Sequence, residues 1–303
     1  MSATEPGTVV TVRAGTADEL VIKVEHPMLE ALRMFCRNWA AVVGALVLAF
    51  IVLMSIFGPT LYPVDPFEIV WAPLAPPGEE GFLFGTDTLG RDLVAGIIYG
   101  SRATLAVGGA AALITVVIGV VVGSLAGYYR GWVEELLMRI TEFFQVLPPL
   151  LLSMVVIMLF DASLVTISIA IGIVSWTGTA RLARAEFLRI RELEYVKAER
   201  AIGSRDMRII WQVMLPNAGP PLIVSAALSV GTAILFEAGL SFLGLSDPNV
   251  MSWGYLIGVN RPHILEAWWP VTFPGLAIFI TVLAVSLVGD GLNDALNPKL
   301  RQR

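Results

Sequence analysis

The chain has 303 residues, 56% of them apolar and only 15% charged, with a mean hydropathy of +0.76 and a formal net charge of −5. Soluble domains run nearer ~45–50% apolar and ~25% charged, so this composition excludes an ordinary soluble enzyme or binding module and points to an all-α protein of the bilayer. The acidic balance points away from nucleic acid, and a single cysteine, Cys36, allows no internal disulfide and no thiolate metal cluster.

Residues 1–32 read as a polar N-terminal lead with an early Glu5-Pro6-Gly7 turn and little apolar periodicity. No secretory signal is evident, because the first apolar run starts only at Trp39 and exceeds a signal core of about 7–15 residues. Cys36 reads as a small side chain buried near this first span.

Residues 33–303 read as one transmembrane domain with six spans. Charge-free runs fall at 39–58, 103–129, 143–160, 162–180, 209–236 and 267–289. With a rise of about 1.5 Å per residue and a hydrocarbon core about 30 Å thick, runs of ~17–25 residues suffice to cross. The runs on either side of Asp161 are together too long for one straight crossing and predict an antiparallel hairpin. Six spans place both termini on one side, and that side receives 17 of the 20 Lys and Arg residues. Basic residues are retained in the cytoplasm, so both ends are expected inside.

Within the spans, Gly119, Gly123 and Gly127 recur every four residues and predict a smooth stripe for close helix packing. Ser225, Ser229 and Thr232 share a face of the fifth span, with Glu237 beyond; they either hydrogen-bond to neighbouring helices or line a polar path. Glu237 is the one acid well inside a span and reads as a hydrogen-bonded packing group or an ion-coupling site. The loop 59–102 is restricted by six prolines, and Trp253, Trp268 and Trp269 suggest interfacial anchoring.

The segment Gly85-Thr86-Asp87-Thr88-Leu89-Gly90-Arg91-Asp92 has the glycine spacing of a phosphate loop, but Arg-Asp stands where Lys-Ser/Thr must meet phosphate and magnesium. A chain with no nucleotide site and almost no intramembrane charge is unsuited to pumping alone, so its energy is expected from a partner. The long loop between the fourth and fifth spans, 181–217, suits that role. It carries eight basic residues, and helix formers from Ala180 to Ile202 bring Leu182, Phe187, Ile190, Leu193, Val196 and Ile202 back at three- to six-residue intervals. Gly203 predicts a break, Ser204 a cap for a second short helix, and Pro216 with Pro220-Pro221 the point where that element gives way to the fifth span. From the residues alone, docking a partner and lying against anionic lipid are equally compatible with this loop.

The motifs Gly85-Thr86-Asp87-Thr88-Leu89-Gly90-Arg91-Asp92, Tyr99-Gly100-Ser101-Arg102, Gly127-Tyr128-Tyr129-Arg130-Gly131, Glu194-Tyr195-Val196 through Gly203 to Leu215-Pro216-Asn217, Leu240-Ser241-Phe242-Leu243-Gly244-Leu245, Ser252-Trp253-Gly254 and Phe273-Pro274-Gly275 occur in an order that resembles one family. From about residue 33 onward the chain is similar to inner-membrane permease subunits of ATP-binding-cassette importers, and within them to the second permease of the dipeptide/oligopeptide type. The resemblance implies a type I importer permease fold without a catalytic, metal or cofactor site of its own, ATP and magnesium being bound by two cytosolic ATPase subunits. It also implies a second homologous permease as heterodimer partner, an extracytoplasmic solute-binding protein and a bacterial inner-membrane location.

In that family the loop before the fifth span holds a coupling helix seated in a groove of the ATPase. Carried over, the coupling residues are Glu194, Tyr195, Ala198, Glu199, Ala201, Gly203, Ser204 and Pro216. Ala198 and Gly203 match the family pattern, whereas Lys197 and Glu199 stand at its Glu and second Ala positions, and Asn293 stands where Arg is common. The expected cargo is a di- or oligopeptide, with nickel chelates, glutathione or another small solute as alternatives. A stand-alone secondary transporter or channel is the rival of a different class. An intramembrane hydrolase is disfavoured, because His26 and His263 both lie outside the spans.

Overall fold

A computed structural model describes residues 27–296, so the lead at 1–26 lies outside the described residues. Pro27–Arg37, which crosses the expected boundary between lead and domain at residue 32, forms an amphipathic helix, α1, with Cys36 exposed on it rather than buried. The cysteine lies in this surface helix, ahead of the packed span, which is why nothing covers it. Asn38 caps the first span, α2 (Trp39–Leu61), by accepting from the Ala41 amide at 3.2 Å, and its Nδ2 donates to Asp294 at 3.1 Å.

The second span belongs to α3 (Leu93–Tyr129), which at 37 residues is about 55 Å long and must project beyond the hydrocarbon. Its N-cap is Asp92, whose Oδ1 accepts from the Val94 amide at 2.9 Å while Oδ2 accepts from the Tyr62 hydroxyl at 2.5 Å. The end of α2 is thereby tied to the start of α3. The phosphate-loop-like segment is a folded turn: Asp87 Oδ1 accepts from the amides of Leu89 and Arg91, both at 2.8 Å. A Cβ on Gly85 would sit 2.3 Å from the Ala75 carbonyl, and one on Gly90 2.1 Å from that of Trp71, and both glycines have φ near +78°. The glycines therefore serve backbone packing in this turn.

The third charge-free run is not one helix. It divides between the end of α4 (Gly131–Val146) and α5 (Pro149–Phe160), which meet at 87°. Pro148 and Pro149 force the break: the residue ahead of a proline is driven extended, and Leu147 and Pro148 have ψ of 131° and 117°. At 12 residues, α5 is only about 18 Å long, too short to cross alone. Among the described residues five helices are long and apolar enough to span, and α4 and α5 meet that test only when the two bent segments are taken together as one span. The hairpin at Asp161 stands, with φ +62° turning α5 back onto α6 (Leu164–Arg191).

The glycine stripe does what its spacing predicts. Added Cβ atoms on Gly119, Gly123 and Gly127 would meet Thr179, Ala180 and Phe187 of α6 at 2.6, 2.2 and 2.6 Å, so α3 and α6 touch backbone to backbone. After α7 (Glu194–Ala201) and a helical turn, α8 (Asp206–Arg208), the chain runs through a π-helical turn, Ile209–Met214, into α9 (Leu215–Phe242). Helix continues through Pro216, Pro220 and Pro221, contrary to the break expected there. The wider turn shifts the hydrogen-bond register just ahead of Pro216, and Asn217 Nδ2 donates to the Val213 carbonyl at 2.6 Å.

The outer segment after α9 forms α10 (Trp253–Asn260), followed by the last span, α11 (Trp269–Leu296). Trp253 is not an interfacial anchor. It is fully buried, its Nε1 donating to the Ile97 carbonyl at 2.9 Å, because Gly100 on α3 leaves room for the ring. Trp269 is also buried and donates to the Thr86 carbonyl at 3.2 Å, whereas Trp268 remains half exposed.

Candidate functional site

Two regions carry the residues singled out from the sequence. At one end of the bundle, α6 runs to Arg191, and the chain breaks at Glu192 and Leu193 before α7 begins. The continuous helix expected from Ala180 to Ile202 is thus two helices. The reason lies in burial: Phe187, Ile190 and Val196 enter one apolar cluster with Tyr128, Ile209, Ile210 and Met214. Phe187 and Ile190 share a face, but in a straight helix Val196 would lie about 240° around from Ile190 at ~100° per residue. The break returns it to the cluster.

The end of α7 is closed by a Schellman motif, with the Ser204 amide donating to the Glu199 carbonyl at 3.1 Å and the Gly203 amide to that of Arg200 at 3.0 Å. Gly203 supplies the φ of +79° that this turn requires. Ser204 does not cap the next helix as expected; its hydroxyl turns back and donates to Glu199 at 2.5 Å, and Arg205 occupies the cap position without a side-chain bond. Glu194, Tyr195, Ala198, Ala201 and Gly203 are exposed, Val196 is fully buried, and Glu199 and Ser204 are intermediate. Pro216 lies apart from this surface, in the first turn of α9. Although Tyr195 is exposed, partial desolvation of its hydroxyl raises it above the ordinary tyrosine value.

Deeper in the bundle, α3, α6, α9 and α11 enclose an open cavity of about 460 Å³. Ser225, Ser229 and Thr232 lie on its wall, as their shared face predicts. Thr115 from α3, Ser175 and Thr179 from α6 and Asn293 from α11 join them, and none of the four was recognised as a lining residue in the sequence. Ser175 and Thr179 are four apart on one helix and carried a weak signal of their own. Among the described residues no charged side chain lines the cavity. Ser229 and Thr232 donate to the carbonyls of Ser225 and Leu228 at 2.8 and 3.1 Å, which leaves their oxygens free to accept, and Thr179 and Ser225 hydroxyls lie 3.4 Å apart.

The structure separates Glu237 from these three. It is 1% exposed, and Oε1 accepts from Ser241 at 2.9 Å and from Ser252, the N-cap of α10, at 2.8 Å; Oε2 has no hydrogen-bond partner among the described residues. Glu237 therefore ties α9 to α10 outside the cavity.

The family model described as the binding-protein-dependent transport system inner membrane component matches residues 119–302, more than half of the chain. The chain belongs to this family. A second model, the N-terminal transmembrane domain of oligopeptide transport permease C, matches residues 26–77 of this permease. The di/tripeptide transport system permease protein DppC of Pseudomonas aeruginosa is 39% identical over 282 residues, covering 91% of this permease and 93% of the relative. The oligopeptide transport system permease protein OppC of Bacillus subtilis is 35% identical over 290 residues and covers 95% of each chain. A solved inward-facing structure of the methionine ABC transporter MetNI superposes with a TM-score of 0.54 at 20% identity, over 67% of this permease and 96% of that chain, a likeness of fold. The protein is thus a multi-pass ABC-importer permease subunit rather than an enzyme.

Proposed function

We propose that this permease forms one half of the translocation path of an ATP-driven importer of di- and oligopeptides, with a second homologous permease as the other half. In this reading α7 docks one of two cytosolic ATPase subunits, which bind the ATP and magnesium, and both chain termini lie in the cytoplasm. An extracytoplasmic binding protein delivers the solute to the opposite face. The observation that carries the reading is the form of the 181–217 loop: a short helix with an exposed outer face, fixed from behind by the fully buried Val196 and Ile209. α7 turns Val196 inward and leaves a mixed outer face, Glu194, Lys197 and Ala198 beside Tyr195 and Ile202, which suits a protein groove better than the continuous apolar face that an interfacial helix lays into lipid.

Peptide cargo is supported by the names of the relatives and by the chemistry of the cavity. Hydroxyls and one amide hydrogen-bond to peptide groups without selecting side-chain charge, which suits a path that must pass many sequences. The experiment is reconstitution with the ATPase subunits, the second permease and the binding protein. Gly203→Pro and Ala198→Glu are expected to abolish peptide uptake while leaving insertion and assembly intact; normal uptake by either variant refutes the coupling role. Uptake of nickel chelates or glutathione in place of peptides refutes the cargo.

A further inference from the structure

With α7 docked on the ATPase, a displacement of α7 reaches α9 along the chain, because only α8 and the π-helical turn lie between them. A second connection runs backwards in the chain, to α3. Tyr128, in the last turn of α3, is 5% exposed and sits where four elements converge. Its hydroxyl donates to Asp206 Oδ1 of α8 at 2.6 Å. The Arg200 guanidinium of α7 lies over its ring, 5.0 Å from the centroid. Its backbone carbonyl accepts from Arg191, the last residue of α6, at 2.8 Å. Phe187, Ile190, Val196 and Met214 complete the apolar cluster around it.

We infer that Tyr128 is a positioning residue that fastens the α7–α8 unit to α3, so that a displacement of α7 moves α3 and α6 together with α9. Contacts to the two sides of the Gly203 turn, Arg200 before it and Asp206 after it, clamp that turn from behind. A cation over an aromatic face and a hydroxyl bonded to a carboxylate resist different motions, sliding and tilting, so the pair holds orientation as well as distance. Close packing along Gly119, Gly123 and Gly127 then makes α3 and α6 a single stiff body. Without the link, α7 would turn about Gly203 and Leu193 and spend its displacement in the loop.

The inference rests on the docking of α7, and the test keeps the two apart. Cys36→Ser is introduced as background in the complete complex of both permeases, ATPases and binding protein, and spin labels are placed at Ile202→Cys, 77% exposed, and Leu113→Cys on α3, 65% exposed. In the otherwise unaltered complex the label separation is expected to be the same without nucleotide and with ATP and vanadate. With Tyr128→Phe, which keeps the ring and removes only the hydroxyl, or with Asp206→Asn, a second separation is expected under ATP and vanadate. ATP hydrolysed per radiolabelled dialanine imported rises roughly tenfold, the scale of one hydrogen bond to a charged group, and the double variant is no worse than either single one. An unchanged separation and unchanged ratio in both variants overturn the inference, as does an equal loss of hydrolysis and uptake accompanied by a lower melting temperature. Failure of docking itself would show elsewhere, as the absence of any cross-link between Lys197→Cys and the ATPase in the otherwise unaltered complex.

Discussion

Replacing Gly123 by alanine adds one methyl group at the tightest point between α3 and α6. That Cβ would lie 2.2 Å from the Ala180 carbonyl oxygen, 2.7 Å from Ala183 Cβ and 2.9 Å from the Arg184 amide nitrogen. Two of the three are backbone atoms that no rotamer change can move. Ordinary contact requires about 1 Å more, so the helices must part locally, and in a close-packed interior that gap strips contacts from neighbouring residues as well. Overpacking of this kind costs about 1–3 kcal/mol, while alanine in place of glycine returns up to about 1 kcal/mol of helix propensity. The net expectation is a loss of roughly 1–2 kcal/mol, and Gly123→Val should lose more because it adds volume without further propensity gain. The same helix provides the control. Gly109 is exposed and a Cβ there meets nothing within 4 Å, so Gly109→Ala should be neutral or stabilising by up to about 1 kcal/mol. Purified complexes are compared by thermal unfolding monitored by size exclusion. Equal melting temperatures for Gly123→Ala and Gly109→Ala would refute the account of α3–α6 packing.

Three further expectations follow from the geometry. Ser225→Leu and Ser229→Leu each push an apolar side chain into the cavity, so peptide uptake should drop at least about tenfold with assembly unchanged, the readout being uptake in proteoliposomes beside complex yield. Glu237→Gln keeps an acceptor for Ser241 and Ser252 and should be tolerated, whereas Glu237→Leu leaves two buried hydroxyls without it and should cost about 1–3 kcal/mol of complex stability by thermal unfolding. The Tyr62 hydroxyl, donating to the Asp92 carboxylate, is raised from its ordinary 10 to about 12. A raised value in the folded state means that the stability from this bond is complete below pH 10 and lost as pH climbs towards 12. Tyr62→Phe should flatten the alkaline limb of a stability profile over that interval.

The sequence by itself determined the class and most of the segmentation. A bilayer rewards apolar length regardless of what a helix touches, so five of the six charge-free runs lie in continuous helical stretches, overrunning the helix starts by no more than two residues, and an i, i+4 glycine stripe or a glycine at a helix end keeps its meaning in any context. Counting apolar length is blind to backbone donors, which is why the Pro148-Pro149 break inside the third run went unread although both residues were in plain view. Tertiary structure alone decided where α6 gives way to α7, because burying Val196 beside Phe187 and Ile190 requires a turn that no periodicity announces. It also decided that Trp253 is core, that Glu237 stands away from the cavity, and that Thr115, Ser175, Thr179 and Asn293 meet the serines of α9. A hydroxyl or a ring finds its partner across a helix interface, and relations of that kind, spanning up to roughly 180 residues of chain between Thr115 and Asn293, are fixed only when the helices pack.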